Sequence, residues 1–157
     1  MSYGNNGIKL AQGNLNSATF NAMFGTAQVL VPAPGAGLVN VVMGTFFNVK
    51  VGSTTWAGDI GNIWLVYGTT GNDQVNLATP FLTNQVQSMS ASTNYVFGGP
   101  GGGIGSDWLG STTGNIVKVL SSNAINKAIS ITCGNSITSG GNGNVDYVVW
   151  YATVKCA

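Results

Sequence analysis

Apolar and polar residues alternate along much of this chain with the two-residue period of β-strands. Lys127 to Cys133 is the cleanest case: Ile129, Ile131 and Cys133 point one way, Ser130 and Thr132 the other. Asp59 to Tyr67 sets Ile63, Leu65 and Tyr67 against Trp64 and Val66. Ile116 to Leu120 alternates in the same manner, and shorter strands are predicted at Val29–Val31, Val75–Leu77 and Tyr95–Phe97. Leu38 to Val51 is a long Val- and Phe-rich run interrupted by Gly44, a position suited to a bulge or bend. Phe81 to Met89 fits helix or strand equally well. The closing run, Val145 to Val154, differs from the rest: Tyr147, Val149 and Tyr151 face one way, and Val148, Trp150, Ala152 and Val154 face the other. A strand apolar on both faces is buried on both. A sandwich uses only one face as core, so the second predicts contact with another layer or another subunit.

Gly and Pro punctuate these runs. Pro32–Gly37 and Gly68–Asp73 read as turns, and Gly98–Gly105 as a loop, because no regular element tolerates so much Gly and Pro. Gly134–Asn144 is expected to join the last two strands as a hairpin turning near Gly140. Short strands, frequent turns and few helix formers predict an all-β sandwich or barrel. Residues 1–24 show no clean period. They are expected to form an extended arm, with short strand or helical pieces, ahead of a β-sandwich domain at 25–157.

Composition narrows the chemistry. Only 6% of the 157 residues are charged, against about 25% in an ordinary domain. There are five Lys and four Asp, and no Arg, His or Glu. An imidazole base, a histidine metal ligand and a bidentate guanidinium clamp are therefore excluded. The loop at 98–105 fails the G-x-G-x-x-G spacing because Ile104 stands at the last Gly position, and no Gly-Lys dipeptide provides a P-loop. Gly140–Asp146 comes near a calcium-binding G-G-x-G-x-D turn, but its Asp arrives one residue late and the motif does not repeat. Asp59, Asp73, Asp107 and Asp146 fall mainly at turns, where Asp is a usual former. The expectation is a protein that is no enzyme, with no catalytic, cofactor or metal site.

The net charge of +1 and the scattered lysines argue against nucleic acid as a partner. No apolar run is long enough for a transmembrane helix, and the N-terminus lacks the basic and apolar regions of a signal peptide, so no membrane partner is expected. Cytosolic synthesis then predicts free thiols at Cys133 and Cys156, packed as small apolar residues on strands. A surface so poor in charge resists association badly. It suits a component of an assembly, whose partners cover it. Trp56 and Trp108, in or near loops, are the candidates for stacking on sugars.

Three segments carry a resemblance. Val29-Leu30-Val31-Pro32-Ala33-Pro34-Gly35-Ala36-Gly37 is followed by Ile63-Trp64-Leu65-Val66-Tyr67-Gly68 and then by Asn126-Lys127-Ala128-Ile129-Ser130-Ile131, with a Gly-rich turn and a Val/Tyr-rich closing strand after them. Over residues 26–154 this resembles a group of small tailed-bacteriophage virion proteins. The resemblance implies a virion structural protein, made in the host cytoplasm. By analogy with jelly-roll decoration and cement proteins, it implies a β-sandwich of jelly-roll type. It further implies a homotrimer that binds the major capsid protein on the outer shell and stabilises capsomer contacts. Tyr147, Val149 and Tyr151 would then form the trimer interface, and loops carrying Pro32, Pro34 and Pro100 would meet the capsid. The alternative is a tail-fibre or appendage domain that binds host-surface glycans through Trp56 and Trp108.

Overall fold

In a computed structural model, described for residues 7–56, 63–69, 75–81, 92–97, 124–135, 137 and 140–156, the alternating segments pair as two antiparallel four-stranded sheets. The elements are β1 (Lys9–Leu15), α1 (Ser17–Asn21), β2 (Gln28–Val31), β3 (Leu38–Lys50), β4 (Ile63–Tyr67), β5 (Val75–Phe81), β6 (Thr93–Phe97), β7 (Ile129–Cys133) and β8 (Asn144–Lys155). The first sheet has the order β1-β8-β3-β6 and the second β2-β7-β4-β5. The all-β expectation holds, and α1, of five residues, is the one helix among the described residues.

The core lies between the sheets and is filled by the inward half of each alternation. β8 contributes Val145 and Val149, β3 Phe47 and Val49, β4 Ile63, Leu65 and Tyr67, and β7 Ile129, Ile131 and Cys133. β3 and β8 form the longest pairing, from Leu38 opposite Lys155 to Lys50 opposite Asn144. Its register shifts between Val42 and Gly44, where the interrupting Gly predicts a bulge, and Met43 is left exposed there. β5 continues through Pro80 to Phe81, beyond the short strand expected. It is an edge strand with register shifts against β4, a setting in which the missing proline N–H costs no ladder bond.

Three expectations change. First, the described part of the segment 1–24 is no free arm. β1 pairs with β8 from Lys9 opposite Tyr151 to Leu15 opposite Val145, and Leu15, Phe20 and Met23 are buried in the core. Asn16 caps α1 by accepting from Thr19 N at 2.9 Å. The change from strand to helix within so few residues hides both periods. Second, the last two strands form no hairpin. β7 lies in the second sheet and β8 in the first, so Gly134–Asn144 crosses between layers. Third, β7 is the strand buried on both faces, Ser130 and Thr132 included, and β8 keeps an exposed face. Thr132 is accommodated by donating its hydroxyl to the Met23 carbonyl at 2.9 Å.

Candidate interaction surface

The first and last segments of the resemblance meet at one end of the sandwich. The turn at 35–37 uses positive φ at Gly35 (107°) and Gly37 (71°), conformations that L side chains avoid. Asn126, itself at φ 55°, accepts from Gly35 N at 3.0 Å and donates its own N–H to the Leu38 carbonyl at 2.8 Å. Cys156 N donates to the Gly37 carbonyl. From below, buried Asn40 donates its amide to the Pro32 carbonyl at 2.9 Å and accepts from Thr153 Oγ1 at 2.8 Å, while Lys9 Nζ donates to the same Thr153 hydroxyl at 3.0 Å. Tyr67 donates its hydroxyl to the Asn40 carbonyl at 2.6 Å, and burial holds that phenol well above its ordinary pKa. This polar chain fixes the loop, with Pro32 exposed and Pro34 half-buried. Sequence patterning had no means of finding it, since its members are spread from Lys9 to Thr153.

A second cluster explains the Gly-rich segment near 140. Asn142 accepts from Thr54 N at 2.9 Å and donates its amide to Ser53 Oγ at 2.8 Å. Gly141 and Gly143 lie against Trp56 so closely that a Cβ at either would meet its ring at 2.8 and 2.6 Å. Trp56 is 1% exposed, its ring centre is 4.8 Å from that of Phe20, and its Nε1 donates to Asn21 Oδ1 at 2.8 Å. Trp56 is therefore an anchor between α1 and two loops and is closed to a sugar ring. Its position beside turn residues suggested exposure, but the glycines that make the turns also let backbone close over the ring. Trp108, the other stacking candidate, and Pro100 lie outside the described residues. The near-calcium turn is also accounted for: Asp146 faces Lys50 at 2.5 Å and accepts from Asn14 Nδ2 at 2.6 Å, and these contacts hold its carboxyl below the usual carboxylate pKa.

The outer face of the first sheet is exposed only in part: Val39, opposite Val154, is fully buried, and Phe46, Val148 and Ala152 are half-buried. The register across its strands places Leu10, Trp150 and Gly44 in one row, Gln12, Val148 and Phe46 in the next, and Asn14, Asp146, Asn48 and Asn94 in a third. The face thus grades from apolar to polar. Its apolar end exposes Leu10 (53%), Trp150 (38%) and Val154 (36%), with Met43 beside them at the bulge and Ile8 just before β1. Tyr147, Val149 and Tyr151 are on the inward alternation. Val149 is fully buried, Tyr147 and Tyr151 pack against the core, and the Tyr147 hydroxyl lies over Gly13. Tyr147, Val149 and Tyr151, expected at an interface, thus turn toward this chain's own core, and the exposed residues of the same strand, Trp150 and Val154, are on its other alternation. The two faces look alike in sequence because both are apolar. Only the position of the second sheet distinguishes them.

Among the described residues, no group of three or more Cys, Asp, Glu or His side chains could hold a metal ion, and no helix is long and apolar enough to cross a membrane. Cys133 and Cys156 are free thiols, one buried and one half-exposed.

No protein family and no curated protein matches the chain. One solved structure is similar in outline. It is the cyanophage Pam1 capsid asymmetric unit, at 16% identity over 97% of this chain and 89% of that one, with a TM-score of 0.39. A likeness at that score assigns neither fold nor function.

Proposed function

We propose that this protein is a virion structural protein of a tailed bacteriophage: a jelly-roll decoration or cement protein, homotrimeric, that binds the major capsid protein on the outer shell. The observation that carries an assembly role is the open apolar end of the first sheet, on a chain with 6% charged residues. The resemblance over residues 26–154 points to the virion as that assembly. Action is by binding and not by catalysis, with no cofactor, nucleic acid or membrane involved. A protein that binds the assembled shell and not its dissociated subunits stabilises the shell by mass action. The loop at 32–37 suits such contacts. It is held by hydrogen bonds on both sides, so docking costs little ordering entropy.

The test is co-sedimentation with shells of the parent phage that lack this protein, together with the thermal disruption temperature of those shells. Saturable binding that raises the disruption temperature is expected. Binding to host-cell glycans with none to shells would overturn the proposal in favour of an appendage domain.

A further inference from the structure

We propose that Asn142–Gly143 is a deamidation site that the fold holds shut, and that its conversion to isoaspartate keeps the 140–144 segment from closing on Trp56 again. The proposal is independent of what the protein binds.

The chain has two Asn-Gly pairs, Asn6–Gly7 and Asn142–Gly143. In such a pair the glycine backbone nitrogen can attack the asparagine side-chain carbonyl, because no Cβ shields the approach. At 142 the Gly143 nitrogen gives up its proton and bonds to Asn142 Cγ. The Cγ–Nδ2 bond breaks, and the side-chain nitrogen leaves as ammonia, taking up a proton in place of the one released. Water then adds to either carbonyl of the succinimide ring. The product is aspartate or isoaspartate, and no oxidant or cofactor is required.

Packing makes both members of the pair obligatory. Gly143 is buried, and a Cβ there would meet the Lys50 carbonyl and the Trp56 ring. Asn142 is exposed, yet its side chain is the clasp to the loop at 52–54. Its Oδ1 accepts from Thr54 N at 2.9 Å, and its Nδ2 donates to Ser53 Oγ at 2.8 Å. Asn142 N also donates to the Thr54 carbonyl at 3.2 Å. The reactive dipeptide is thus demanded by the structure.

The same contacts delay the reaction. Ring closure commits Asn142 Cγ to the Gly143 nitrogen, so the side-chain bonds to Ser53 and Thr54 must open first. Gly143 cannot move to meet it, because the Lys50 carbonyl and the Trp56 ring enclose it. The reaction therefore runs through the locally opened state.

The outcome is one-way. Isoaspartate routes the main chain through the former side-chain carbons and lengthens it between 142 and 143. Gly143 has no space even for a Cβ, so the lengthened segment cannot restore its packing on Trp56. Aspartate keeps the chain length and can still accept from Thr54 N and from the Ser53 hydroxyl, so it is tolerated.

The experiment incubates the full chain in mildly alkaline buffer made with heavy-oxygen water, folded and in concentrated urea, and follows label uptake by peptide mapping. Asn6–Gly7 is the internal reference for the chemistry in each buffer; Gly7 is exposed, and a Cβ there would meet nothing within 4 Å. The ratio of conversion at 142 to conversion at 6 should rise by about tenfold or more on unfolding. Ser53→Ala, which removes one arm of the clasp, should speed conversion at 142 about threefold or more in the folded chain and leave it unchanged in urea. A ratio that is the same or higher in the folded chain would overturn the gating, and would mean that the Thr54 N–H activates the carbonyl instead. Ser53→Ala converting at the wild-type folded rate would overturn the clasp as the gate. The native-against-urea ratio of wild type decides the gating if Ser53→Ala fails to fold. Chains separated after conversion test the one-way step: isoaspartate at 142 should lower the urea midpoint and aspartate should barely change it, and an isoaspartate chain with the wild-type midpoint would overturn that step.

Discussion

Trp56→Ala removes the side chain that joins α1 to the loops at 51–56 and 140–144. The ring is 1% exposed and packs on Phe20, so deletion leaves a cavity that backbone glycines cannot fill. Large aromatic-to-Ala changes in a core cost about 3–5 kcal/mol, and little relaxation is available here. Trp56→Phe separates the two contributions. It retains a ring beside Phe20 but removes the Nε1–H donated to Asn21 Oδ1 at 2.8 Å. Asn21 is only half-buried, so water can replace the lost donor in part and the expected cost is about 1 kcal/mol. Urea unfolding followed by circular dichroism measures both, with the slope against urea serving as a check that the folded state is otherwise the same. A loss below about 1 kcal/mol for Trp56→Ala would refute the anchoring role and return Trp56 to the surface. If Trp56 were a sugar platform, the Ala variant would keep its stability and lose glycan binding instead.

Other outcomes follow from the same geometry. Gly143→Ala should destabilise by about 3 kcal/mol in the same assay, because its Cβ would meet the Lys50 carbonyl and the Gly52 nitrogen, both backbone. Gly13→Ala should cost under about 1 kcal/mol, since its Cβ meets the far end of the Tyr147 side chain, which can swing aside. Burial pushes the Cys133 thiol up to about 11, only partly offset by a hydrogen bond with the Asn135 backbone. The protonated thiol is thus favoured by folding. Its contribution is complete below the ordinary thiol pKa and is lost as pH rises through about 11. A thiol reagent at pH about 8, below that ordinary value, should modify Cys156 first, with mass spectrometry showing Cys133 untouched until unfolding. Asp146→Asn should lower stability by less than about 1 kcal/mol, less still at high salt, because the Lys50 pair is exposed. The Asp146 carboxylate is favoured in the folded state, so its small contribution is present above the ordinary carboxylate pKa and fades as pH falls through the lowered value.

The strand pattern was largely legible in the residues. β2, β3, β4, β7 and β8 lie where alternation places them, and the bulge next to Gly44 was marked by the Gly itself. What was not legible depends on long-range pairing. β1 mixes Gly and Asn with Leu10 and Leu15, and becomes a strand only because β8 offers it an edge. The Gly134–Asn144 segment has the composition of a hairpin, but Trp56 and Asn21 draw it across to the other layer. Which side of β8 faces the core was equally illegible. Tyr147, Val149 and Tyr151 look as suited to contact as Val148, Trp150 and Val154 until the second sheet is placed. Charge scarcity suggested a component of an assembly, and the structure exposes Leu10, Trp150 and Val154 on the first sheet.

As proposed above, this protein acts by covering a capsid shell. The most direct measurement is cryo-electron microscopy of shells of the parent phage lacking the protein, imaged before and after adding purified chain to saturation. New density is expected at fixed capsomer junctions on the outer surface, in three-fold clusters with the 32–37 loop toward the shell. Shells that look the same with and without the protein would contradict it.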